Sequence, residues 1–106
     1  MTSSDFNRIV KDVTNKIKDT LCVKAAEYAL SGDRLSALKQ GGKMWDTDAG
    51  NALLGMLNKH IVSLYQMVQS KNIFPLERWW EKGIDAINYT ILLLAIKTEE
   101  FNNAQN

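Results

Sequence analysis

The chain has 106 residues, 45% of them hydrophobic and 24% charged, an ordinary globular composition that excludes a disordered or low-complexity chain and leaves room for one domain, over residues 1–106, rather than two. The formal net charge of +1 creates no field to gather phosphate polymers or anionic lipid, and no local basic patch makes up for it, so nucleic acid is not an expected partner. The single Cys22 cannot close an intramolecular disulfide, no leader pattern opens the sequence, and the longest apolar run, Thr90 to Ile96, falls well short of the roughly 20 residues that cross a bilayer; a cytoplasmic protein without membrane insertion is expected.

From Phe6 the apolar positions Ile9, Val10, Val13, Ile17, Leu21, Ala25 and Tyr28 recur in steps of one, three or four, which predicts a first helix at about residues 4–30. Ser3 or Ser4 can cap its start, and Gly32 can take the left-handed conformation that ends many helices. The opposite face, with Asp5, Arg8, Asp12, Lys16 and Asp19, reads as solvated. Residues 33–40 predict two helical turns with Leu35 and Leu38 facing inward, broken by Gly41 and Gly42. Thr47 or Asp46 then opens a second long helix, 47–70, in which Ala52, Leu53, Met56, Leu57, His60, Ile61, Leu64, Met67 and Val68 recur at helical spacing. Pro75 suits the first turn of a third, 75–101, because its missing N–H has no partner there in any case. The fold class is therefore all-α, a small bundle of three long helices plus a short one. The stretch Ile91 to Ile96 is apolar all round, which asks for cover from the bundle, a second subunit or both, and the helix from Pro75 to Phe101 carries more apolar surface than a three-helix monomer covers, so a homo-oligomer is expected.

Glu77, Glu81 and Asp85 follow one another at intervals of four, about 40° apart round the helix, and Asn88 extends the stripe towards an apolar end. Such carboxylates either hold a hard divalent cation or tie helices together. Asp85 should be partly desolvated and near Lys59, His60 or Arg34. Lys59, His60 and Ser63 share one turn and could hold a phosphate, while a lone histidine can equally be a satisfied interior donor. Asp33 and Arg34 follow Glu27 and Tyr28 at the end of the first helix, where Asp33 can simply cap the next one. Mid-helix Gly55 and Gly83 each cost about 1 kcal/mol relative to alanine, which a close helix crossing or the approach of a ligand would offset. Trp79 and Trp80 point in different directions, so one can fill the core while the other covers a groove or a subunit contact, and Cys22 reads as an inert buried thiol.

The segments EYxxxxDRL (Glu27 to Leu35), ALLGMLNKHIVSLYQMV (Ala52 to Val68) and EKGIDAINYTILL (Glu81 to Leu93) together resemble small phage and prophage proteins of the nucleotide modification associated type. EKGIDAINYTILLLA is also similar to the acidic helix of the all-α, MazG-type nucleoside triphosphate pyrophosphohydrolases, which bind Mg2+ through helix-borne carboxylates. The resemblance implies a nucleotide or nucleotide-like phosphate as ligand, Mg2+ held by Glu81 and Asp85, and a ligand site drawn from Glu27, Asp33, Arg34, Lys59, His60, Ser63, Asn88 and Tyr89. For a phage-encoded chain it also implies the host cytoplasm. The chain departs from the pattern at Ala37 and Leu38, at the i,i+4 spacing of Glu81 and Asp85, and in lacking a second ExxE helix. Three functions follow: nucleotide binding with Mg2+-dependent hydrolysis, binding that sequesters a nucleotide signal or a host protein, and a structural homo-oligomer.

Overall fold

The computed structural model of the protein describes residues 1–23 and 32–105. These residues form helices and no strand. Helix α1 spans Ser3–Lys18 and a π-helical turn, Asp19–Val23, closes it. Its cap is Thr2, whose hydroxyl accepts from the Asp5 N–H at 3.1 Å, so Ser3 and Ser4 already lie inside the helix. The remainder of the helix expected to residue 30 falls outside the described residues. Gly32 has φ +78°, the left-handed conformation foreseen for it.

Helix α2, Ser36–Met44, starts three residues later than expected and runs through both glycines. Asp33 precedes it and accepts from the Leu35 N–H at 3.0 Å. Neither glycine breaks the helix, and Gly42 permits a close approach. A Cβ on Gly42 would lie 2.7 Å from the Asp48 carbonyl carbon, and the Thr47 N–H donates to the Gly42 carbonyl at 2.8 Å. The turn that follows is therefore tightly bonded. Helix α3, Ala49–Gln69, is capped by Asp48 rather than by Asp46 or Thr47, because the Asp48 carboxylate is the one that reaches the Asn51 N–H, at 2.7 Å. It ends beside Ser70, as expected. Pro75 precedes α4, Leu76–Gln105, and its carbonyl accepts from the Arg78 N–H.

Helices α3 and α4 run antiparallel: His60 meets Tyr89, while Gly50, earlier in α3, lies against Lys97, later in α4. Leu35 from α2's leading turn, Ala49 and Leu53 from α3 and Ile96 from α4 form the buried core, with Leu38, Leu92 and Leu93 packed on it. Burying a leucine such as Leu53, 1% exposed, contributes about 1.5–3 kcal/mol. No residue of α1 is buried. Its Ile9, Val13 and Ile17 are half-covered, and Phe6 and Val10 are exposed.

At 1.5 Å per residue α4 alone is about 45 Å long, and it sets the 47 Å long axis of the molecule. The radius of gyration is 16.3 Å, against about 13 Å for a compact chain of this length. Among the described residues no helix is long and apolar enough to cross a membrane.

Candidate functional site

The acidic stripe of α4 faces a groove of about 950 Å3 whose other wall is α1 and its π-helical turn. Glu77, Glu81 and Asp85 line it from one side, and Asp12, Lys16 and Asp19 line it from the other. The face of α1 that reads as merely solvated in the sequence is thus the wall opposite the carboxylates. Asp12, Lys16 and Asp19 follow one another at intervals of four and three, so the spacing that puts them on one stripe was visible. What that stripe faces was not.

Asn88 also lines the groove, beyond Asp85 on α4. It is 7% exposed, and its Oδ1 is buried with no hydrogen-bond partner among the described residues. A buried acceptor left unpaired costs on the order of 1–3 kcal/mol, so it is a natural place for a donor or a cation. Trp80 forms apolar wall, and the Lys16 ammonium lies over its ring, 5.7 Å from the centroid. Trp79 instead packs edge-on against Phe74, centroids 6.0 Å apart. The two tryptophans divide as their helical offset suggests, although both stay half-buried, and Trp45 is 81% exposed.

Asp85 is half-buried, as expected, but makes no ion pair or hydrogen bond with Lys59, His60 or Arg34 among the described residues. It looks into the groove. A part in a buried ion pair is therefore not what holds it in place. Among the described residues no three Asp, Glu, His or Cys side chains gather closely enough to hold a metal by themselves.

The other expected ligand residues divide among separate places. His60 stacks on Tyr89 between α3 and α4, centroids 5.1 Å apart and rings inclined 25°, with Nδ1 buried and without a partner among the described residues. Ser63 is half-buried and Lys59 exposed on the same helix. Asp33 does not cap α2, whose N-cap is Leu35 with no side-chain bond to the helix. Asp33 closes the turn before it by accepting from the Leu35 N–H, and it takes the Lys39 ammonium at 2.7 Å, while Lys39 also reaches Glu99 at 2.6 Å, pinning α2 to α4. Hydrogen bonding from Lys39 and from the Leu35 N–H holds the Asp33 carboxyl below its ordinary value, and the two carboxylates raise Lys39 above its own. Arg34 donates to the Leu21 carbonyl at 3.4 Å, tying the start of α2 to the π-helical turn. Neither residue lines the groove. Glu27 lies outside the described residues.

Gly55 and Gly83 do not mark close approaches, since a Cβ at either would meet nothing within 4 Å. The tight glycines are Gly42 and Gly50, where the Asp48 backbone and the Lys97 ammonium come close. Cys22 is exposed, because it falls on the outer side of the π-helical turn and not in a core. Searches against protein-family models, curated proteins and solved structures found no match to this chain.

Proposed function

We propose that the protein binds a nucleotide or nucleotide-like phosphate together with Mg2+ in the groove between α1 and α4. The observation that carries this reading is the facing of carboxylates from two helices across one groove, with the unpaired Asn88 carbonyl buried in its wall. Five carboxylates against one lysine would repel a bare phosphate, so an anionic ligand needs a cation between it and the wall. Glu81 and Asp85 would hold that ion, and the ion would neutralise and polarise a phosphoryl oxygen. Trp80 offers a flat face for a base once the Lys16 ammonium swings from its ring to the phosphate. The likeness of Glu81 to Leu93 to the nucleotide modification associated proteins points the same way.

Sequestration of a nucleotide fits better than hydrolysis. The pyrophosphohydrolases use a second acidic helix of ExxE pattern, and Asp12 of α1 and Asp19 of the π-helical turn stand a full seven residues apart. A second reading, assembly of copies into a homo-oligomer, is favoured by the accessible surface. It measures 8176 Å2, where a compact monomer of 12.0 kDa exposes about 6,000 Å2. The two readings are compatible.

Melting of the wild type and of Asp85→Asn, each with and without nucleotides and Mg2+, tests the site, because a ligand that binds only the folded state raises its melting temperature. The wild type should gain several degrees with a nucleotide only when Mg2+ is present, and Asp85→Asn should lose that gain at unchanged helical content. No gain with any nucleotide, or an equal gain in the variant, would reject the assignment.

A further inference from the structure

Two apolar stripes are left open on the α3–α4 layer. On α3, Leu54, Asn58, Ile61, Tyr65 and Val68 advance by four and three, and all are exposed. On α4, Ile87, Ile91, Leu94, Thr98 and Phe101 do the same. This is the 3.5-residue repeat of helices that pack through knobs and holes. The exposure is large where it counts: Tyr65 is 65% exposed, Val68 66%, Leu94 61% and Phe101 64%. From Ala86 to Ile96 α4 carries no charged residue at all.

The stripes belong to one surface. At 100° per residue, the α3 stripe lies about 100° round from the line through Leu53, Leu57, His60 and Met67 that faces α4. The α4 stripe lies about 140° round from its own line through Ala86, Tyr89, Leu93 and Ile96, in the same rotational sense. Because the helices are antiparallel, equal senses bring both stripes to the same side of the layer. Glu81, Asp85 and Asn88 are displaced in the opposite sense, so the groove opens on the other side.

We infer that this two-stripe face is where a second copy of the chain docks, α3 and α4 of each protomer joining into a four-helix bundle. This rests on the self-association reading above and adds the surface and the pairing. The whole chain exposes about 2,200 Å2 more than a compact monomer, an excess shared between this face, the groove and α1, and a stable interface needs roughly 800 Å2 of it per partner. A layer of two helices with one uncovered apolar side completes a core by stacking on another such layer. The occupant is a second copy because the face is self-complementary: its stripes have the same repeat and length, and a two-fold axis matches each to its like. Asn58 is the one amide inside the α3 stripe, and an amide there favours a single register by needing a polar partner across the seam. The net charge of +1 sets no barrier between copies. The groove remains open in the dimer.

Sedimentation equilibrium of the full chain tests this with three variants. The wild type should weigh twice 12.0 kDa at micromolar concentration. Ile61→Glu and Ile91→Glu, each at an exposed position that a folded monomer tolerates, should raise the dissociation constant at least 100-fold with unchanged helical circular dichroism. Lys59→Glu, on the opposite flank of α3, should leave it unchanged. A wild type that stays a monomer at 100 µM would reject self-association altogether. An assembly that survives both glutamates would reject this face while leaving self-association standing. Should either glutamate variant misfold, the wild type alone decides: its melting temperature must rise with protein concentration, and a concentration-independent value overturns the proposal.

Discussion

The junction of α2, α3 and α4 and the helix α1 carry apolar stripes of similar quality and receive very different treatment. Leu53 and Ile96 keep 1% and 3% of their surface, whereas α1 buries no residue. Each stripe states that a helix needs a neighbour, and the neighbour decides how much of the need is met. At the junction three elements converge, and Gly42 lets α2 come to van der Waals distance of the α3 cap. Along α1 the main helical neighbour among the described residues is α4, and the groove stands between much of their facing surfaces. An open groove and a tight core are different uses of a helix face, and α4 carries one near each of its ends.

Substitutions can break that contrast or sharpen it. Leu53→Ala should cost about 2–5 kcal/mol, the range for a leucine removed from a closed core, measured by urea unfolding. Ile17→Ala in α1, half-covered, should cost clearly less. Equal losses would mean that α1 is as much a part of the core as α3. Gly42→Ala comes next at about 1–3 kcal/mol, the usual penalty for overpacking, because its Cβ would meet backbone and not a movable side chain. A neutral Gly42→Ala would show that α2 is free to shift.

The smallest effect is that of pH on the Lys39 link. The Asp33 carboxyl is depressed in the fold from 3.8, so its contribution is present above that pH and is lost as pH falls through the lower folded value. The Lys39 ammonium is raised from 10.5, so its contribution is complete below that pH and is lost as pH rises through the higher folded value. The melting difference between wild type and Lys39→Met should accordingly be constant through neutral pH and shrink below about pH 3.8. Both side chains are well exposed, which keeps the difference small. A difference that widened in acid would contradict the pairing.

The sequence by itself determined the all-helical character, the span of α3 to within two residues at each end, the start of α4 after Pro75, and the common face of Glu81, Asp85 and Asn88. These follow from periodicity and from the missing proline N–H, which are properties of neighbouring residues. The tertiary structure alone decided which stripe faces which. It turned Asp12, Lys16 and Asp19 from a solvated face into the wall of a groove, made Asp33 a link to Lys39 instead of a helix cap, and reversed the glycines, closing on Gly42 while leaving Gly55 and Gly83 open. A glycine in a helix signals that a side chain is absent, and only the approach of another element gives that absence a purpose. Likewise a row of carboxylates fixes its own direction, and the partner across from it is set by how far two helices diverge, which no local pattern of residues encodes.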